Sequence, residues 1–249
     1  MSFKDKVVIV TGGSSGIGAA TAIKFAKESA KVAIVGRNES KLANVAKICE
    51  DLGNKPLIIV ADLLKEDDTK TIVQKTIDHF GKLDVLVNNA GKSAIRNSIK
   101  DKDILDTYDN LMTTNFRAVV QTMNLAVPYL IKTKGNIVNV SSISSYMPFP
   151  KVPIYSATKA AMDMFSRNVA FELAEDGVRV NVVNPGYVKT DILMNTGLDQ
   201  ESSDKLFESC DSTYLLLNFV KIPNKNIKLI HKCSSLTYTI KVLNDFREG

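Results

Sequence analysis

Tyr155 and Lys159 stand four residues apart in a stretch whose spacing predicts a helix over 154–175. Residues at that separation share a helix face, so phenol and amine point to the same side. A free tyrosine ionises near pH 10. To work as an acid or base near neutrality, its phenolate needs stabilising by roughly three pKa units, about 4 kcal/mol. A nearby ammonium supplies part of that. The pair alone is a common accident of helices. Ser142, just past the apolar run 137–140, adds a hydroxyl suited to hydrogen-bonding a substrate oxygen.

A second group of residues suits phosphate. Thr11-Gly12-Gly13-Ser14-Ser15-Gly16-Ile17-Gly18 follows the first apolar run and opens a helical segment. Glycine permits a tight turn and close approach of the backbone to an anion, and the helix start offers free N–H groups and its positive dipole end. The spacing of Gly12, Gly16 and Gly18 differs from the G-x-G-x-x-G of other dinucleotide binders but serves the same geometry. Sites that prefer NAD place Asp or Glu at the end of the second strand, on the ribose 2′-hydroxyl. Here that position reads Gly36-Arg37-Asn38. No carboxylate stands there to repel a 2′-phosphate; Arg37 can pair with one, and Ser14 or Ser15 can add a hydroxyl. The reading favours NADP(H), with NAD(H) the alternative.

These residues need a frame to converge. Short Val/Ile-rich runs at 7–10, 32–35, 57–60, 83–87, 137–140 and 178–183 predict strands buried on both faces of a parallel sheet. Helical patterns at 17–28, 40–52, 66–80, 116–133 and 154–175 alternate with them. The repeating order predicts a doubly wound, mostly parallel α/β sheet of Rossmann type with helices on both faces. No long Gly/Ser/Pro linker interrupts it. Ligands bind beyond the carboxyl ends of such strands, where Gly12, Asn89 and Ser142 all fall.

Composition excludes other classes. The formal net charge is +5, and most of it lies after Tyr214, where six Lys/Arg face two Asp/Glu. That leaves no basic footprint for nucleic acid on the body of the chain. No apolar run approaches the length of a membrane span, and the start of the chain lacks the pattern of a signal peptide, so a cytoplasmic location is the default expectation. Cys49, Cys210 and Cys233 are scattered, and with only His79 and His231 no metal site is expected.

Taken together, T-G-G-S-S-G-I-G at 11–18, A-D-L at 61–63, N-N-A-G at 88–91, N-F at 115–116, V-S-S at 140–142, Y-S-A-T-K at 155–159 and N-P-G-Y-V-K-T at 184–190 resemble the short-chain dehydrogenase/reductase family over about residues 5–195. The resemblance implies hydride transfer between a nicotinamide dinucleotide and a carbonyl or alcohol. It implies Tyr155 as general acid/base, and Lys159 lowering the tyrosine pKa while binding the nicotinamide ribose. Ser142 would orient the carbonyl, and Asn115 would hold a relay water. It places Asp62 and Leu63 at adenine, and Asn89, Ala90 and Gly91 along the adenine-side ribose. Pro185, Gly186, Val188 and Thr190 would border the nicotinamide. It also suggests a homo-oligomer.

The resemblance stops near Thr213. Residues 1–213 are expected to form the dinucleotide-binding and catalytic domain, and 214–249 an atypical tail in place of the usual last helix and strand. No alanine follows Ala174, and beyond Leu198 glycine returns only at Gly249. The stretch resembles a translation in another frame or an alternative exon end. Loss of the last strand would expose a sheet edge. A catalytically weak, structural or regulatory NADP-binding protein is therefore the alternative to a carbonyl reductase. The segment 191–213, with Leu193, Met194, Leu198 and Phe207, is expected to cover the active site, and Lys92, Ser93 and Met147 to border the pocket.

Overall fold

The computed structural model describes residues 3–93 and 98–186, together with 188, 190, 192, 201, 205 and the backbone of 229–230. Apart from 229–230, the tail after 205 lies outside the described residues, as does most of 191–213, so the expected boundary at 213 and the residues Leu193, Met194, Leu198 and Phe207 do too.

Strands β1 (Val7–Thr11), β2 (Lys31–Gly36), β3 (Leu57–Val60), β4 (Val85–Asn88), β5 (Asn136–Val140), β6 (Arg179–Val183) and β7 (Leu229–Ile230) form one sheet in the order β3-β2-β1-β4-β5-β6-β7. Every pairing is parallel. Between them run α1 (Gly16–Lys27), α2 (Glu39–Asp51), α3 (Glu66–Phe80), α4 (Ile104–Met112), α5 (Ala118–Thr133) and α6 (Pro153–Glu172). The period-2 alternation of β1 divides the core. Val7 and Ile9 join Ile72 of α3, Met123 of α5 and Met162 of α6 on one face. Val8 and Val10 join Phe25 of α1 and Leu42 of α2 on the other. Each fully buried aliphatic side chain contributes about 1.5–3 kcal/mol relative to exposure.

Helix ends follow local chemistry. Asn38 caps α2, its side chain accepting from the Lys41 N–H at 2.9 Å. Gly81 ends α3 in the left-handed region at φ 79°, and Pro153 opens α6 where its missing N–H costs nothing.

Three features depart from the sequence reading. Strand β3 is the sheet edge, and Ile58 and Val60 stay 40% and 44% exposed, so two-sided burial fails there. Helix α4 was not expected; Ile104, Leu105, Tyr108, Leu111 and Met112 recur at helical spacing, but only Leu111 is buried. Between α4 and α5 a turn of π-helix spans Thr113–Arg117. The edge of β6 expected to be open is covered over two of its residues, β7 pairing Leu229 with Val182 and Ile230 with Val183. A two-residue apolar pair between Lys228 and His231 is too short for periodicity to reveal.

The chain leaves β1 toward β2 and β3 on one side, and returns through β4 on the other. The reversal opens a crevice beyond the carboxyl ends of β1 and β4, where such sheets take their ligands.

Candidate active site

The crevice is stitched open by its own walls. Asn89, just after β4, donates through Nδ2 to the carbonyls of Thr11 at 3.0 Å and Gly12 at 3.3 Å. Thr11 Oγ1 accepts from the main-chain N–H groups of Asn89 and Ala90. A side chain at Gly12 would strike Asn89 Nδ2 at 2.8 Å and the Ala90 backbone at 2.9 Å, at a φ of +66° that only glycine adopts freely. Gly16 likewise leaves the space taken by the Thr190 side chain. Ser15 precedes α1 without using its side chain as a cap, and no acid sits in the first turn. The positive end of the helix therefore faces the cavity without a protein carboxylate on it.

The cavity has a volume of about 650 Å³ and runs from this turn to the start of α6. Of the residues expected to bind a dinucleotide, Gly12, Ser14, Ser15, Gly16 and Ile17 line it at the turn, Arg37, Asp62 and Leu63 at the ends of β2 and β3. Asn89, Ala90 and Gly91 follow at the end of β4, and Pro185, Gly186, Val188 and Thr190 past β6. Gly18, Asn38 and Asn115 lie behind the wall. Gly18 packs α1 against the turn, where a side chain would meet the Gly12 carbonyl at 2.1 Å. Asn38 is spent on its helix cap. Arg37 is exposed at the rim. Asp62 accepts from the Leu64 N–H at 3.1 Å. Lys92 and Ser93 line the cavity as expected, whereas Met147 is not among the lining residues. Burial, and then the Arg37 charge, hold the Lys92 ammonium below its usual pKa, while Asp62 acts the other way.

At the far end the residues expected to transfer a proton converge. Ser142 follows β5 and its Oγ accepts from the Ser144 N–H at 3.2 Å, fixing the short turn at Ile143–Ser145. The Tyr155 phenol and the Ser142 hydroxyl are neighbours, close enough for the hydroxyl to act on the phenol's ionisation. One turn along α6, Lys159 is buried, with Nζ 5.8 Å from the Tyr155 ring centre. Nζ donates to the Val140 carbonyl at 2.8 Å. Asn115 lies in the π-turn, wholly buried; it accepts from the Lys92 N–H at 2.8 Å and donates to the Lys92 carbonyl at 2.9 Å. It thereby fixes the backbone next to Gly91, where a side chain would sit 3.4 Å from Asn115 Oδ1 and 3.5 Å from Lys159 Nζ.

Charge at this end is governed by burial. Loss of water lowers the Lys159 pKa to about 8, with the negative charge of Asp163 opposing. Burial raises the Tyr155 pKa, and the Ser142 hydroxyl acts against it. That direction opposes the lowering implied by the resemblance: desolvation outweighs the neighbouring hydroxyl in the protein alone.

A family model described as short chain dehydrogenase matches residues 6–201. The chain belongs to the short-chain dehydrogenase family. It is 36% identical over 207 residues to an 11-beta-hydroxysteroid dehydrogenase A of Sesamum indicum, covering 80% of this chain. It spans only 59% of that relative's length. A short-chain dehydrogenase/reductase of unknown function from Caenorhabditis elegans, solved with cofactor, matches with a TM-score of 0.78 at 39% identity, over 82% of this chain and 78% of that one. A short chain dehydrogenase from Burkholderia cenocepacia in complex with NADP matches with a TM-score of 0.73 at 33% identity, over 77% and 78% of the two chains. The family's sheet accounts for the parallel order and crevice described above. Among the described residues no helix is long and apolar enough to cross a membrane.

The sequence reading missed the far wall. Phe149, Pro150 and Val152, between Ser142 and Tyr155, line the cavity with Ile143. The density of proline there was the available signal. It also missed Asp163 and Asn184, which are hydrogen-bonded to each other beside Ser142.

Proposed function

We propose that this protein reduces a carbonyl, or oxidises the matching secondary alcohol, with NADP(H). The observation that carries the reading is that Ser142, Tyr155 and Lys159, the last two one helical turn apart, line the same cavity as the glycine turn after β1.

The residues fit a dinucleotide. Gly12 and Gly16 leave backbone bare where side chains would fill the cradle, and the start of α1 meets it with unopposed positive dipole. Arg37 at the rim suits a 2′-phosphate, and no acid stands beside it at 36–38. The Burkholderia relative carries NADP. When bound, the nicotinamide supplies or accepts the hydride.

The chain supplies the rest. Ser142 Oγ holds the substrate oxygen. Tyr155 Oη gives that oxygen a proton as negative charge develops on it, and Lys159 stabilises the phenolate left behind. Asn115 orders the backbone at Lys92 and a water through which Lys159 returns the proton. Ile143, Phe149, Val152 and Ile192 make the far wall apolar, which suits a ketone on a hydrophobic skeleton. Likeness to the sesame hydroxysteroid dehydrogenase supports the same class.

The test is NADPH consumption by purified protein over a panel of aliphatic, aromatic and steroid ketones, with NADH in parallel. The expected result is turnover of apolar ketones with a higher kcat/KM for NADPH. Binding of NADPH without turnover of any carbonyl overturns it.

A further inference from the structure

Asp163 extends the Tyr155–Lys159 row by one more turn of α6, at the same four-residue step. It is 8% exposed. Its Oδ2 accepts from Ser145 Oγ at 2.6 Å and from Asn184 Nδ2 at 2.8 Å. Asn184 Nδ2 also donates to the Ser142 carbonyl at 3.1 Å and to Ser145 Oγ at 3.0 Å. One buried carboxylate thus joins three separate segments: α6 with Tyr155 and Lys159, the turn after β5 with Ser142, and the loop after β6 that begins Asn184-Pro185-Gly186. The main chain closes the same joint, Ile143 N–H donating to the Pro185 carbonyl at 3.0 Å.

Burying a carboxylate is costly unless it is fully satisfied or paired. Asp163 is neither. Its Oδ1 has no hydrogen-bond partner among the described residues, and neither has Asn184 Oδ1. The charge is left to act through space on what surrounds it. The titratable groups facing it are Lys159, on its own helix, and Tyr146, from the turn after β5; Tyr155 lies one turn beyond Lys159. Tyr146 is half exposed at 52%, so Lys159 is the buried recipient.

We propose that Asp163 is a positioning residue for the reaction: it locks Ser142 in register with Tyr155 through Asn184, and it keeps the buried Lys159 side chain in its ammonium form. This rests on the roles given above to Tyr155, Ser142 and Lys159. The opposing effects of burial and Asp163 on the lysine agree with it. A neutral residue here would satisfy the hydrogen bonds but leave Lys159 with desolvation alone.

The test uses Asp163→Asn, which keeps the shape and one accepting oxygen but removes the charge. Isotope-labelled lysine reports the Lys159 titration by NMR in the protein without ligand. The expected result is a Lys159 pKa lower by about one unit, with a matching downward move of the alkaline limb of kcat/KM. NADPH affinity, read by fluorescence at pH 7, stays within about threefold, the size of change that partial deprotonation of one lysine allows. Asp163→Ala, which also breaks the joint, lowers kcat by about 10–100-fold with little change in NADPH affinity, and Asp163→Glu restores the pKa. If Asp163→Asn does not fold, Asp163→Ser removes the same charge at smaller volume. A Lys159 titration that superimposes on the parent's in the neutral variants overturns the inference. Absence of NADPH binding or turnover in the parent overturns the oxidoreductase reading instead, and the lysine titration still decides the electrostatic claim.

Discussion

Gly18 lies so close to Gly12 that a methyl group on Gly18 would stand 2.1 Å from the Gly12 carbonyl oxygen and 2.4 Å from Asn89 Nδ2. The contact sets the distance between helix α1 and the turn that it follows. Gly18→Ala must therefore push backbone against backbone. It is expected to destabilise the protein by about 3 kcal/mol or more and to weaken NADPH binding. Urea unfolding midpoints and a fluorescence titration check the two effects; an unchanged midpoint would sink the packing account.

Removing the phenol hydroxyl tests the proton donor. Tyr155→Phe keeps the ring and is expected to lower kcat by about 10²–10⁴-fold, with NADPH affinity within about threefold, since general acid catalysis and ground-state binding are separate terms. Steady-state kinetics and binding titration together separate them. Near-normal turnover in the variant contradicts the assigned role.

Arg37 is exposed at the cavity rim, so replacing it costs little stability. Arg37→Asp places a carboxylate where a 2′-phosphate would lie. NADPH affinity should fall by about 10–100-fold, the value of a charge-assisted bond replaced by repulsion, while NADH binding holds or improves. Equal losses for both dinucleotides would show that Arg37 does not read the phosphate.

The lowered Lys159 pKa has a consequence for stability. The folded value is about 8 against an ordinary 10.5, so between those pH values the unfolded chain binds the extra proton and the folded one does not. Stability attributable to this group therefore rises as pH rises from about 8 to 10.5, and its cost is fully present below 8. Lys159→Met removes the buried cation and should raise stability at pH 7 by about 1–3 kcal/mol, the lost Val140 hydrogen bond offsetting part of the gain. The advantage should vanish by pH 10.5. Thermal unfolding of both proteins across this range measures it, and a pH-independent difference counts against a desolvated ammonium.

The same value sets an alkaline limit on the reaction. Tyr155 stays protonated well above neutrality because burial raises its pKa, so loss of activity on the alkaline side should follow Lys159. The limb of kcat/KM for ketone reduction is expected near pH 8. A limb that moves above pH 10 would assign it to the phenol.

Much was legible from the chain alone. The Val/Ile runs are local signals, and they placed six strands because burial on a parallel sheet demands continuous apolar residues. The four-residue step of Tyr155 and Lys159 and the glycines after β1 are equally local, and they located both ends of the cavity. What the chain could not reveal depends on contacts between distant segments. The exposure of Ile58 and Val60 follows from β3 being the edge, a property of strand order. Helix α4 buries only Leu111 despite its apolar spacing, and the π-turn at Asn115 is tied down by hydrogen bonds exchanged with Lys92 across 23 residues. Asp163 and Asn184 read as ordinary polar residues until folding brings them within 2.8 Å. Periodicity reports which face of an element is dry; only the packed elements decide which buried charge stands beside which lysine.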